Sequence, residues 1–323
     1  MEKIRMQSVN LQKANAVIDE VKKVVIGKDA CIFKVMAAMI AGGHILLDDI
    51  PGVGKTTMAL AFSKAMDLQQ NRVQFTPDIL PADIVGFSMY DKSSGKFVYQ
   101  PGAVMCNLFL ADEINRTSPK TQSALLEVME EGSVTVDGVT KPVPEPFIVL
   151  ATQNPVGSAG TQMLPESQVD RFMICLTMGY PNPEDEIAIL KGKSEGDPLN
   201  EVVSVMNAAA LLDAKREAEQ IYVHQAIYKY MVRLVNKTRQ HDMIELGISP
   251  RGTVALAAMA KSCAWLQGRK FVYPDDVADV FYDVAIHRIR LNARARINHV
   301  TASDLLDQII NDTERPTVRR KKQ

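Results

Sequence analysis

Apolar residues fall into two regimes along the chain. Up to about residue 180 they gather in short unbroken runs: HILLD at 44–48, RVQF at 72–75, LFLADE at 108–113, PFIVLAT at 146–152 and FMICLTM at 172–178. Between several of these runs lie stretches with helical spacing, such as KTTMALAFSKAM at 55–66 and PKTQSALLEVMEEG at 119–132. Proline near the start of the second stretch and Gly132 after its end mark a helix and its stop. Strands that are apolar along their whole length and separated by helices predict a mainly parallel sheet covered on both faces.

Two segments break the rhythm. GFSMYDKSSGKFVYQPG at 86–102 predicts a hairpin turning at Ser-Ser-Gly, and SVTVDGVTKPV at 133–143 predicts one turning at Asp-Gly. Ahead of the first strand, helical spacing over 11–41 is interrupted by VVIGKD at 24–29, which predicts two helices around a loop. After PNPEDE at 181–186 the strand signal disappears. RGTVALAAMAKSCAWLQG at 251–268 and the Pro-Asp-Asp start of YPDDVADVFYDVAIHRIR at 273–290 predict helices. The expected organisation is an α/β domain over 1–180, a small all-α domain over 181–312 and a basic flexible tail over 313–323.

Composition changes this picture little. With 323 residues, 37 basic and 38 acidic, the formal net charge is -1, so overall charge selects no class of partner. Cys31, Cys106, Cys175 and Cys263 lack C-x-x-C spacing, which argues against a zinc site or a disulfide framework. No run reaches the roughly 18 uninterrupted apolar residues of a membrane span, and the start of the chain has no signal-peptide pattern. A cytoplasmic protein with no membrane insertion is expected. The basic end ERPTVRRKKQ reads as a solvated tail or as a nucleic-acid arm.

The candidate chemistry begins at LLDDIPGVGKTT, 46–57, which nearly spells the phosphate-binding pattern G-x-x-x-x-G-K-[ST] but has Asp49 where its first glycine belongs. Gly52 and Gly54 let the backbone curl so that successive N–H groups face one concavity at a helix N-terminus. Over Pro51, Gly52, Val53, Gly54, Lys55, Thr56 and Thr57, that loop would cradle a triphosphate. Lys55 would neutralise the β- and γ-phosphates, and Thr56 would offer its hydroxyl to Mg²⁺. LFLADE ends a strand in paired carboxylates where an NTPase places its magnesium-organising acid: Asp112 would hold the metal through water and Glu113 would polarise the attacking water. Asn154, ending the next strand, either reaches that water or merely forms a turn before proline. Arg171 and Arg251 each stand where an element begins, and a lone arginine there is by default a surface ion pair.

Together these stretches resemble the AAA+ ATPases and, more narrowly, the MoxR family of the helix-2-insert clade. The phosphate loop, LADEINRTSPKTQSALLEVMEEG, PFIVLATQNP, LPESQVDRF and GISPRGTVALAAMAKSCAWLQGRKFVYPDDV occur in family order over roughly residues 10 to 300. One departure is PVGSAGTQMLPES at 155–167, smaller and less charged than the family's usual acidic stretch. The resemblance implies a sheet of order 5-1-4-3-2, a helical lid and a ring, usually a hexamer, with ATP and Mg²⁺ bound between subunits. It assigns the two hairpins as the helix-2 insert, about 84–102, and the pre-sensor-1 hairpin, about 133–143. It makes Asn154 sensor 1, Arg171 the arginine finger acting on the neighbour's ATP, and Arg251 sensor 2. The segment around Ile26 and Gly27 would contact adenine, and Arg116 is a second candidate for the subunit interface.

The expected function is that of an ATP-hydrolysing chaperone-like remodeller in complex maturation or metallocofactor insertion, with protein clients and a von Willebrand factor A-domain partner. A nucleic-acid motor is the first alternative, but the hairpin turns carry too few basic residues, Lys141 in one and Lys92 and Lys96 in the other, to track a phosphate backbone. A non-hydrolysing nucleotide-controlled scaffold is the second. MoxR-like sequences accept an acid at position 49, and aspartate tolerates unusual φ values. Asp49→Gly is therefore expected to change nucleotide affinity little and Lys55→Ala to abolish it.

Overall fold

The computed structural model describes residues 8–50, 52–153 and 164–317. The chain opens with α1 (Val9–Lys22) and α2 (Asp29–Ile40), then β1 (His44–Asp48), α3 (Lys55–Ala65) and β2 (Gln70–Gln74). A short α4 (Pro81–Val85) leads into a hairpin of β3 (Gly86–Asp91) and β4 (Lys96–Pro101). Next come β5 (Leu108–Asp112), α5 (Pro119–Glu131), a second hairpin of β6 (Ser133–Val136) and β7 (Val139–Pro142), β8 (Ile148–Gln153), α6 (Glu166–Val169) and β9 (Phe172–Leu176).

The central sheet runs β2-β5-β8-β1-β9 and every pairing in it is parallel. Counted among the five core strands alone, this order is 5-1-4-3-2. Alternate residues face opposite layers, as the strand period of two requires. Ile45, Leu47, Leu108, Leu110, Ile148 and Leu150 join the apolar cluster with α1, α2 and α3, whereas Leu46, Phe109, Ala111, Val149 and Ala151 join the one with α5. The edge strand β2 starts two residues before the apolar run, at Gln70 and Asn71. Only one of its sides is paired, so polar residues are tolerated there and hydrophobicity under-reports its length.

Both hairpins form where the turn chemistry predicts. Asp137 and Gly138, at φ 51° and 76°, give the two positive values that a twist-matched two-residue turn requires. The tip of the first hairpin is tied by Asp91, whose carboxylate accepts from the backbone and hydroxyl groups of Ser93 and Ser94.

Beyond β9 come α7 (Pro183–Glu195), α8 (Ala208–Glu219), α9 (Gln225–Gln240), α10 (Pro250–Leu266), α11 (Pro274–Ala285), α12 (Ala293–Ile297) and α13 (Ala302–Asn311). α7 and α10 start alike, with Asn182 and Ser249 capping ahead of Pro183 and Pro250. This region is not wholly helical. β10 (Ile244–Leu246) pairs antiparallel with β11 (Arg290–Leu291), a ladder too short to leave an alternating pattern in the sequence. The apolar cluster is continuous from the sheet through α1 and α2 to α8, α10 and α11. No helix among the described residues is long and apolar enough to cross a membrane.

Candidate active site

β1 lies between β8 and β9, and the crossover to β2 passes over two strands, so the chain leaves β1 at a topological switch point. The turn that follows has Gly52 at φ 85° and Gly54 at φ 97°, with Gly54 at the N-terminus of α3. Those values suit glycine and few other residues. Open space lies where a Cβ on Gly52 would project, and only the Met178 methyl, 4.0 Å away, approaches one on Gly54. Backbone N–H groups at a helix start therefore face an open concavity, which fits a phosphate.

Lys55 is buried, and its Nζ donates to the Asp49 carbonyl at 2.6 Å and the Gln153 carbonyl at 3.4 Å. Burial lowers the pKa of its ammonium, while Asp49 and Asp112 pull in the opposite direction. The Asp49 carboxylate accepts the N–H groups of Ile50, Met178 and Gly179.

At the end of β5, Asp112 Oδ2 lies 3.5 Å from Thr56 Oγ1, so the two oxygens expected at a magnesium ion converge. The other oxygen, Oδ1, accepts from Thr152 Oγ1 at 2.6 Å, and Thr152 Oγ1 in turn accepts the Glu113 N–H at 2.9 Å. Arg72 on β2 donates to Asp112 Oδ2 at 2.7 Å. Glu113 adopts a left-handed backbone, φ 56°, and its Oε2 accepts from Arg116 Nη1 at 2.7 Å. These oxygens and the glycine turn fit Mg²⁺ and a triphosphate: Thr56 and Asp112 could hold the metal, with Glu113 beside the cleft of about 280 Å³ that they line.

A larger cavity of about 670 Å³ adjoins the loop through Gly52, Val53, Gly54 and Thr57. Ile26 lines it, as do Pro181 and Ile189 from the helical region. Gly27 does not. It turns the chain at φ 72° against α7, where an added Cβ would lie 1.9 Å from Asp185 Oδ2.

The two candidate arginines lie elsewhere. Arg171 Nη2 pairs with Glu130 Oε2 at 2.9 Å, and Arg251 Nη2 pairs with Oε1 of the same carboxylate. Arg171 precedes Phe172, whose register partner is His44, the first residue of β1. His44 also bonds Met129, beside Glu130. Both arginines are thus at the edge where β1 begins, while the phosphate loop follows its end. The strand between spans roughly 13 Å at 3.3 Å per residue.

The structure thus brings Gly52, Gly54, Lys55, Thr56, Thr57, Asp112 and Glu113 together, and it places Arg171 and Arg251 side by side on the opposite edge. Asn154 and Pro51 lie outside the described residues, as does the basic segment 318–323. Sequence reasoning missed Arg72, Thr152 and Glu130. Arg72 and Thr152 point at Asp112 from neighbouring strands, so their signal was positional: Thr152 is the last but one residue of β8 and Arg72 the middle residue of β2. The four cysteines are free and buried, which pushes the thiols of Cys31 to about 12 and Cys106 to about 11. No cluster of metal-binding side chains occurs among the described residues.

A parallel sheet of this order, a glycine loop ahead of α3 and paired carboxylates on the neighbouring strand define a P-loop ATPase of the AAA+ class. Residues 44–174 match the family model described as ATPase family associated with various cellular activities (AAA), and residues 236–309 match the AAA lid domain. The chain is 36% identical over 310 residues to Chaperone MoxR1 of Mycobacterium tuberculosis, covering 93% of this chain and 82% of that one. It is 43% identical over 302 residues to the uncharacterized protein YeaC of Bacillus subtilis, covering 94% of each. A crystal structure from Cytophaga hutchinsonii superposes with a TM-score of 0.88 at 36% identity, covering 95% of this chain and 96% of that one. The chain belongs to the MoxR family of AAA+ ATPases, and nucleotide binding follows from that membership.

Proposed function

We propose that the protein hydrolyses ATP at the interface between subunits of a ring, usually a hexamer, and uses the cycle to remodel protein clients. The observation that carries this reading is the separation of parts. Phosphate loop and carboxylates occupy one edge of the sheet, and Arg171 and Arg251 the other, beyond reach of the same nucleotide. A second subunit must supply them. A positioned arginine accelerates phosphoryl transfer by about 10³ to 10⁵, so hydrolysis is expected to depend on assembly.

In this scheme the turn at Gly52 and Gly54 cradles the phosphates and Lys55 leaves its two carbonyl partners to neutralise them. Ile26 and the cavity beside it receive the base. Glu113 orients the attacking water once released from Arg116, and Asn154, the next residue in sequence after Gln153, assists. Thr56 and Asp112 would hold Mg²⁺, which would offset charge on the phosphates. The MoxR1 relative is named a chaperone, and this supports a chaperone-like role here. Complex maturation or metallocofactor insertion in the cytoplasm, with a von Willebrand factor A-domain partner, is the specific form proposed.

The test is affinity capture with Glu113→Gln protein under ATP, compared with ADP. The variant is expected to retain nucleotide, assemble into rings and hold a client. Monomers that hydrolyse ATP at the parent's rate, independent of protein concentration, would overturn the scheme.

A further inference from the structure

We propose that Arg288 is a positioning residue that fixes Arg171 and Arg251 as one rigid unit for a neighbouring subunit's nucleotide. This rests on the interfacial scheme above. The Arg288 side chain is 1% exposed, so it is shielded from solvent. A guanidinium has five N–H groups, and each has an acceptor. Nε donates to Asp170 Oδ1 at 2.8 Å, Nη1 to the Met173 and Val284 carbonyls at 3.0 and 2.5 Å, and Nη2 to the Asp170 and Phe172 carbonyls at 3.1 and 2.5 Å. Four of the five acceptors belong to Asp170, Phe172 and Met173, the residues bracketing Arg171.

The same network reaches Arg251. The carboxylate of Asp170 accepts the Ser249 hydroxyl at 3.0 and 2.9 Å, and Ser249 caps α10 by accepting the Gly252 N–H at 3.1 Å. Gly252 packs over Arg288 itself: an added Cβ would lie 2.7 Å from Arg288 Cδ and 2.5 Å from Ile248 Cγ2. Arg251 sits between these two contacts. One buried cation therefore sets both the start of β9 and the start of α10, and with them the spacing of two arginines that meet on Glu130. Stability alone is a weak reason to bury a charge, since well-packed apolar residues often serve as well. Definition of geometry is a better one.

The test compares full-length Arg288→Lys, Arg171→Ala and Lys55→Ala proteins alone and mixed. Lysine keeps the charge but offers three donors in place of five. Arg288→Lys is expected to bind nucleotide like the parent yet lose at least about tenfold in ATP turnover. Mixing with Lys55→Ala, which lacks a phosphate site but keeps its arginines, should restore activity to about a quarter of the parent's. Each interface draws its nucleotide site from one subunit and its arginines from the next. A general folding defect gives no such rescue. Unchanged turnover in Arg288→Lys overturns the proposal, as does a loss that Lys55→Ala cannot rescue while it rescues Arg171→Ala. Failure to rescue Arg171→Ala overturns the interfacial scheme, and the role of Arg288 with it. Should Arg288→Lys lose nucleotide affinity too, Gly252→Ala, which keeps the guanidinium but crowds it against the start of α10, is measured in the same way against the same outcomes.

Discussion

The carboxylate of Asp49 accepts the backbone N–H of Gly179 at 2.7 Å, fastening the mouth of the phosphate loop to the exit of β9. The same Oδ2 takes the Met178 N–H at 2.5 Å, and Oδ1 takes that of Ile50 at 2.8 Å. The carboxylate is held by backbone donors of the chain that leads to α7, and its charge favours the protonated Lys55 ammonium.

Asp49→Gly is expected to cost stability and spare binding. Hydrogen bonds to a charged group contribute about 1.5–3 kcal/mol each and are not additive, so a loss of about 3 kcal/mol in denaturant unfolding is predicted. Nucleotide affinity, measured cold where both proteins are folded, should move by less than about threefold. A large gain in affinity would show that Asp49 restrains the site electrostatically.

Lys55 and Thr56 should separate by metal dependence. Lys55→Ala removes the buried ammonium that faces the loop, and nucleotide binding is expected to vanish with or without Mg²⁺. Thr56→Ala removes one of the two oxygens that converge at 3.5 Å, so it should weaken binding about tenfold in Mg²⁺ and leave binding in EDTA unchanged. Calorimetric titration in the two buffers checks both. A Thr56→Ala protein equally impaired in EDTA would mean that its hydroxyl touches nucleotide rather than metal.

Residues that act through their neighbours in sequence were legible, and those that act across strands were not. The turn from Gly52 to Thr56 is a contiguous pattern whose backbone demands show in its glycines, and the Asp137–Gly138 turn announced its positive φ values in the same way. Thr152 and Arg72 converge on Asp112 only because β8 and β2 flank β5, which no local pattern reports. Gly27 belongs to the segment that the family resemblance assigns to the base, and its positive φ brings it against Asp185 of α7, a contact no local pattern reports. The β10–β11 ladder stayed hidden because its strands, three and two residues long, leave no alternating pattern.

Arg171 and Arg251 share Glu130, and this predicts that they fail alike. Arg171→Ala should lower ATP turnover by about 10³ while nucleotide affinity holds, and Arg251→Ala should give the same pattern. In the parent, specific activity should climb with protein concentration as interfaces form. An Arg251→Ala protein that loses nucleotide affinity as a monomer would place Arg251 over its own phosphate site, against the geometry at Glu130.

His44 supplies a pH dependence whose sign the structure determines. Its ring is buried, with Nε2 3.0 Å from the Met129 carbonyl and Nδ1 accepting the Val149 N–H at 3.0 Å. Those partners require the neutral tautomer protonated at Nε2, and burial lowers its pKa to about 4. The unfolded chain binds this proton near pH 6.5 and the folded chain only near pH 4, so stability is full above the first value and falls as pH drops toward the second. The slope is about 1.4 kcal/mol per pH unit, accumulating to about 3 kcal/mol. His287, buried and shifted in the same direction, adds a contribution of the same sign. Unfolding free energies measured at pH 7 and pH 5 should therefore differ by about 2 kcal/mol from His44 alone, and His44→Gln should remove that part and leave the part due to His287, while lowering both values. Equal stability at the two pH values would mean that the folded protein protonates His44 freely, and that the Val149 N–H does not depend on Nδ1 for its acceptor.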